Sequence, residues 1–196
     1  FLEASVGFGG SCFQKDILNL VYLCRHYGLE EVAEYWHQVI KINDYQKNCF
    51  AQKIINRLGG DIKDKEIAIL GWAFKANTND SRESPAIKIA EQLINQGAII
   101  TVFDPMVPKK QIENDLFEFF QDKGDKKQQI KSHYQNLDNL NDDFAAIVIL
   151  TEWEIFKNFD WNKLVEKKDN IQLFDGRNIL SSKILNKKIK LKQIDN

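Results

Sequence analysis

Three stretches of the chain carry side chains whose types and spacing could do chemistry. The first is Gly7-Phe8-Gly9-Gly10-Ser11-Cys12-Phe13-Gln14-Lys15-Asp16. Ser11 and Gln14 have the S-x-x-Q spacing of a capping box, which predicts a helix start with Cys12 in its first turn. Backbone N–H groups are free at such a start, and the helix dipole favours an anion. Lys15 and Asp16 lie three and four positions on, on the face of Cys12. A thiol at a helix N-terminus beside a lysine is the setting that makes a thiolate nucleophile. Asp16 has the chemistry to orient a water or act as a base, and the glycines let a ligand approach the backbone. The alternative is a structural cysteine at a flexible turn. Cys24 and Cys49 sit among apolar neighbours in helical runs and are expected as buried filler. His26, His37 and His133 have no carboxylate or cysteine at ligand spacing, so no metal site is expected.

The second stretch runs from Gly71 through Trp72-Ala73-Phe74-Lys75-Ala76-Asn77 to Arg82-Glu83-Ser84-Pro85. A dinucleotide turn would show G-x-G-x-x-G between strand and helix. Only Gly71 is present, so this is not a pyrophosphate turn. A polar loop beyond a strand's carboxyl end still marks a ligand crevice. Lys75 and Arg82 could meet phosphates, and Phe74 could pack on a base or ribose. A solvated connection is the other reading. Asp104 could touch a hydroxyl or simply fix an Asp-Pro turn. The third stretch is Phe174-Asp175-Gly176-Arg177-Asn178, where Arg177 suits a bidentate anion contact and Asp175 a turn.

The elements that must position these groups follow from apolar periodicity. Residues 14–58 are helical in pattern, and Gly59-Gly60 ends them as a glycine C-cap would. Asn43 and Lys47 interrupt the apolar stripe. A helix over 30–58 is long for one compact domain. It either packs on its own core or forms a spine against another subunit. From residue 65 onward strands and helices alternate. Apolar runs at 65–71, 98–105, 145–151 and 171–176 read as buried strands, with helices at 84–97 and 108–120. Ser84 is the expected N-cap of the first of these, with Pro85 in its first turn and Gly97 at its end. Residues 121–132 are charged and read as a mobile surface loop. The expected fold is α/β: a long central helix followed by a Rossmann-like, doubly wound parallel sheet.

Composition narrows the function. The 196 residues hold 27 basic and 28 acidic side chains, so the formal charge is −1, without the basic excess of a nucleic-acid binder. Hydrophobic residues make up 43%, too many for a disordered chain. No apolar run approaches the roughly 18 residues that span a bilayer. Three scattered cysteines fit a reducing compartment, and no membrane or nucleic-acid partner is expected.

GFGGSCFQKD, GWAFKANTNDSRESPA and FDGRN occur in this order at these separations. Together they closely resemble the UDP-glucose/GDP-mannose dehydrogenase family, over essentially the whole chain. The resemblance implies an end of the catalytic region and a dimerising central helix over 1–62, then a UDP-binding domain over 63–196. It implies NAD-dependent oxidation of UDP-glucose to UDP-glucuronate in two hydride-transfer steps, with Cys12 as nucleophile through a thiohemiacetal and a thioester. Asp16 and Lys15 would assist. Glu3, Ala4, Ser5, Val6, Gly7, Phe8 and Gly9 would wrap the UDP-sugar. Phe74, Lys75 and Arg177 would hold substrate, with Arg177 reaching its own site or a neighbouring subunit's. Cys12, Phe13, Gln14, Lys15 and Arg82 would contact NAD. Glu3 stands where animal-type members carry Lys, which leaves backbone contact there. The resemblance also implies a cytoplasmic homo-oligomer, dimers assembling into hexamers. The family's amino-terminal NAD domain has no counterpart here, so the chain is expected to be a carboxyl-terminal fragment, inactive alone. A substrate of GDP-mannose or a UDP-N-acetylhexosamine is the rival within the family, and the Phe13-Gln14-Lys15-Asp16 run disfavours it. The rival from another class is a non-catalytic module that only self-associates or binds nucleotide.

Overall fold

The structure, a computed structural model, describes residues 4–119, 130–140, 143–166, 170–181 and 187–194. Two antiparallel-connected helices come first. Helix α1 (Phe13–His26) buries Ile17, Val21 and Cys24 against Ala33 and Ile40 of helix α2 (Glu30–Arg57). Gly28, at φ 72°, makes the turn between them. Helix α2 has 28 residues and is about 42 Å long at 1.5 Å per residue. Its end is a glycine cap: Gly60 N–H donates to the Ile55 carbonyl at 3.0 Å, with both Gly59 and Gly60 at positive φ.

The sheet has six parallel strands in the order β3-β2-β1-β4-β5-β6. They are β1 (Glu66–Leu70), β2 (Ile99–Phe103), β3 (Ile130–Tyr134), β4 (Ala146–Ile149), β5 (Ile171–Asp175) and β6 (Ile189–Gln193). The central strands are almost wholly buried, which is why they read as continuous apolar runs. Helix α3 (Pro85–Asn95) is capped as expected, the Ser84 hydroxyl accepting from Ala86 N–H at 3.3 Å. Helices α4 (Lys109–Phe119) and α5 (Glu154–Lys157) and a 3-10 turn (Trp161–Glu166) complete the layers.

One core joins the carboxyl half of α2 to the sheet. Phe50, Ala51, Ile54 and Ile55 are buried in the same cluster as Ile67, Ile69, Leu93, Val148 and Leu173. The amino half of α2 packs on α1 and Phe8 and leaves Val32, Tyr35, Trp36 and Ile42 exposed. The carboxyl half of the helix therefore fits the reading of a helix packed on its own core.

Strand order reverses between β1 and β4, which opens a crevice at their carboxyl ends. The loops after β1, β4 and β5 all emerge there. Two edge strands escaped the sequence reading. Strands β3 and β6 contain Lys131, Lys190 and Lys192 and are half-exposed, so they lack the apolar run that marks the others. The expected loop at 121–132 is corrected accordingly: residues 130–132 belong to β3, and the remainder lies outside the described residues.

Candidate functional site

The glycine loop is anchored at its centre by Val6. Its side chain is fully buried in the main core, and its N–H donates to the Gly176 carbonyl at 3.2 Å. A Cβ at Gly176 would sit 2.5 Å from Val6 Cγ1, so the turn after β5 must be glycine to admit this anchor. The loop then crosses the middle of α2. Asn43 Oδ1 accepts from Phe8 N–H at 2.8 Å, and Asn43 Nδ2 donates to the Phe8 carbonyl at 3.1 Å. Gln46 Nε2 donates to the Ser5 carbonyl at 3.3 Å. Further on, Gly10 N–H donates to the Arg82 carbonyl at 2.8 Å, and the Phe74 ring lies flush against Gly10.

Cys12 is exposed at the N-cap of α1. The expected capping box does not form. Cys12 has helical dihedrals, no side chain caps the helix, and the Ser11 hydroxyl instead lies 3.5 Å from Cys12 Sγ. Gln14 turns away to donate from Nε2 to Glu83 Oε2 at 2.8 Å, so the loop after β1 has taken the cap's second partner. Lys15 and Asp16 pair with each other at 3.3 Å on the open surface beside Cys12. Phe13 meets Phe8 edge-to-face with ring centroids 4.7 Å apart.

Arg177 is the most enclosed cation of the set. Its Nη1 donates to Ser5 Oγ at 2.6 Å and its Nη2 pairs with Glu152 Oε2. Within one chain, then, the turn after β5 reaches the glycine loop. Glu152 Oε1 accepts from Ala76 N–H at 3.2 Å, which ties the loop after β1 to the same pair. Asp175 fixes the turn: its carboxylate accepts from the N–H groups of Arg177 and Leu180 at 3.1 and 2.8 Å.

Arg82 is exposed and held by Asp80, with Nε and Nη2 donating at 2.9 and 2.7 Å. This hydrogen-bonded pairing draws the Asp80 carboxyl below the usual carboxylate range. It also raises Arg82, to which Cys12 contributes a smaller share. Lys75 Nζ lies 5.5 Å over the Phe74 ring.

Asp104 settles its two sequence readings in favour of the turn. Fully buried, its Oδ2 accepts from Trp72 and Ala73 N–H at 2.7 and 3.1 Å, and its Oδ1 from Met106 and Val107 N–H at 2.9 and 2.8 Å. The first amides beyond β1, where a pyrophosphate turn would offer its donors, are thus occupied by a carboxylate.

The structure gathers Ser5, Gly7, Phe8, Gly9, Cys12, Gln14, Phe74, Arg82 and Arg177 into one connected set of loops. Glu3 lies outside the described residues. Cys49 is corrected: it is exposed on α2, because it faces outward between Asn48 and Phe50, and only Cys24 is buried filler. Sequence reasoning missed Asn43, Gln46, Lys47, Glu83 and Glu152. The signal was there for two of them, since Asn43 and Lys47 are the polar breaks in an apolar stripe and both are buried.

This is a doubly wound α/β fold of the nucleotide-binding kind, with a cysteine-bearing loop docked on the loop that leaves β1 at its switch point. The UDP binding domain of the UDP-glucose/GDP-mannose dehydrogenase family matches residues 68–182, and the central domain of the same family matches residues 1–45. The chain belongs to the UDP-glucose/GDP-mannose dehydrogenase family. It is 48% identical over 181 residues to the UDP-glucose 6-dehydrogenase of Bos taurus and 46% identical over 194 residues to UDP-glucose 6-dehydrogenase 4 of Arabidopsis thaliana. Each match covers 92% of this chain, but only 37% and 40% of those relatives' own lengths. Among solved structures, a UDP-glucose dehydrogenase from Pyrobaculum islandicum superposes with a TM-score of 0.71 at 28% identity, over 95% of this chain and 37% of that one.

Proposed function

We propose that this chain is the thiol-bearing and UDP-sugar-binding part of an NAD-dependent UDP-glucose 6-dehydrogenase, which forms UDP-glucuronate. The observation that carries the reading is the exposed Cys12 beside a glycine loop that is pinned to the turn after β5 by Val6 and Arg177. In this reading residues 1–62 supply the cysteine loop and the helical region, and residues 63–196 the UDP-binding domain. Backbone of residues 4–9 wraps the sugar nucleotide. Phe74 offers a ring face, and Lys75 and Arg177 supply positive charge for the diphosphate. Val6 contributes backbone only, because its side chain belongs to the core.

Cys12 performs the covalent chemistry. Its thiolate adds to the C6 aldehyde while the carbonyl oxygen takes a proton, giving a thiohemiacetal. Loss of hydride from C6, together with the proton of the thiohemiacetal hydroxyl, leaves a thioester. Water, oriented by Asp16, attacks the acyl carbon, the C–S bond breaks, and the acid is released as the thiolate returns. A soft sulfur nucleophile suits both the addition and the departure. Bound NAD⁺ supplies the hydride acceptor, twice per sugar.

The residues present fit such a cofactor only around Cys12. Phe13, Lys15 and Arg82 are exposed there, and the Arg82 guanidinium is pre-oriented by Asp80. The amides beyond β1 are not available, being held by Asp104. The dinucleotide must therefore find its pyrophosphate turn outside this sheet, and the 196 residues alone are expected to be inactive. The exposed apolar side chains of α1 and α2, Tyr22, Val32, Tyr35 and Ile42 among them, support a homo-oligomer formed through these helices. Three free cysteines fit a reducing cytoplasm.

The test is turnover of UDP-glucose and NAD⁺ by the complete dehydrogenase carrying this sequence, against GDP-mannose as competitor substrate. NADH formation with UDP-glucose supports the reading, and a preference for GDP-mannose overturns it. Sustained NADH production by the 196 residues alone overturns the expected inactivity.

A further inference from the structure

The glycine loop takes its shape from a helix face that carries no reactive group. Asn43, Gln46 and Lys47 stand at i, i+3 and i+4 on α2 and so lie on one side of it. Asn43, 4% exposed, pairs with the Phe8 peptide as a neighbouring strand would, accepting from its N–H and donating to its carbonyl. Gln46 holds the Ser5 carbonyl. Lys47, also 4% exposed, lays its stem along Gly7 and directs its ammonium to Asp44 Oδ1 at 3.3 Å. A Cβ at Gly7 would meet Asn43 Oδ1 at 2.7 Å and Lys47 Cγ at 3.2 Å, so the loop is seated in close contact.

Burying an amide and an ammonium in an apolar stripe opposes folding unless both are bonded. An aliphatic residue at 43 would suit the helix better. What the amide adds is direction: a fully bonded buried polar group fixes one arrangement of its partners. Those partners are the peptides that, under the function proposed above, surround the nucleotide-sugar.

Resting on that reading of residues 4–9, we propose that Asn43 is a positioning residue for the UDP-sugar. It fixes the Phe8 peptide and with it the path from Ser5 to Gly9, and Gln46 and Lys47 complete the seat. The loop is then ordered before substrate arrives, so binding does not bear the cost of ordering it. Asn43 touches no reacting atom, and the effect falls on sugar-nucleotide binding rather than on the chemical step.

The experiment is steady-state kinetics on the complete enzyme with Asn43→Leu, which keeps the branching at Cγ in a larger side chain and removes both bonds, and Asn43→Asp, which keeps the acceptor and loses the donor. Losing two such bonds raises KM for UDP-glucose roughly tenfold in Asn43→Leu. KM for NAD⁺ is unchanged and kcat stays within about twofold, the signature of lost uniform binding. Asn43→Asp falls between wild type and Asn43→Leu, and it decides the matter if Asn43→Leu does not fold. Unchanged KM for UDP-glucose in Asn43→Asp, or equal rises in both KM values, overturns the positioning role. A wild-type enzyme that fails to oxidise UDP-glucose overturns the underlying reading instead.

Discussion

Gln14 and Glu83, 69 positions apart, are joined by a hydrogen bond of 2.8 Å from Gln14 Nε2 to Glu83 Oε2. This bond docks the first turn of α1 onto the loop after β1. The same loop accepts Gly10 N–H at the Arg82 carbonyl, and Glu83 itself adopts φ 55°, a region that non-glycine residues rarely enter. Cys12 is thus fixed relative to the sheet by contacts on both sides of it in sequence. The unusual backbone at Glu83 is held in place by what packs against it.

Gly9 is where that docking is tightest. A Cβ there would lie 2.3 Å from the Glu83 carbonyl oxygen and 3.1 Å from Ser84 Cα, both backbone atoms next to the N-cap of α3. Neither can move without disturbing the helix start. Gly9→Ala is therefore expected to displace the cysteine loop and reduce kcat/KM by about a hundredfold, as ångström-scale misplacement does. Steady-state rates of the complete enzyme check this; near-native kcat/KM would show that the two loops are not in contact.

Arg177 and Glu152 form an ion pair that is largely enclosed, with 17% and 28% of their side chains exposed. Removing one member leaves the other charge desolvated, so Arg177→Met is expected to cost about 1–3 kcal/mol of stability as well as UDP affinity. The double variant Arg177→Met/Glu152→Gln is expected to recover part of the stability but none of the affinity, because under the proposed function Ser5 and the nucleotide still lack their cation. Urea denaturation and calorimetric UDP titration separate the two effects. Additive stability losses would mean that the pair is not coupled.

The sheet's interior was legible because β1, β2, β4 and β5 are covered on both faces and spell unbroken apolar runs. Its edges were not, because β3 and β6 carry lysines toward solvent and resemble charged loop. Ser84, Pro85 and Gly97 marked α3 by local backbone chemistry that tertiary contacts did not override. Ser11 and Gln14 misled for the opposite reason: a partner 69 residues away, Glu83, competes for the same amide. The cysteine loop could be read from glycines and residue types. Its support was legible only as the polar breaks Asn43 and Lys47 in the stripe of α2; the contacts of Gln46 and Glu152 were not, since each acts on a peptide distant in sequence.

His133 offers a pH test of the β2–β3 edge. It lies on β3 opposite Val102, and burial pushes its pKa below the ordinary value near 6.5, against the opposing pull of Asp104. The folded state therefore leaves the imidazole neutral over a range where the unfolded chain protonates it. The unfolded state binds more protons, so stability falls as pH drops through about 6.5 and below, down to the lowered folded value. Urea midpoints between about pH 7.5 and pH 5.5 should decline more steeply for wild type than for His133→Phe. Parallel profiles would place the imidazole in water.

The three cysteines differ in a way that alkylation can resolve. Cys12 and Cys49 are exposed, whereas Cys24 is 7% exposed between α1 and α2. Iodoacetamide on the native enzyme is expected to modify Cys12 and Cys49 and to spare Cys24, read by mass mapping of peptides. UDP-glucose should slow labelling at Cys12 more than at Cys49, because Cys12 continues the glycine loop whereas Cys49 lies on α2, three residues beyond Gln46. Cys12→Ser replaces an exposed atom that fills no core, so its melting temperature should stay within about 2 °C of wild type. Its turnover should nonetheless vanish, since an alkoxide forms far less readily than a thiolate and leaves an acyl carbon poorly. Retained turnover in Cys12→Ser, or equal protection of Cys12 and Cys49 by the sugar nucleotide, would remove the sulfur from the reaction.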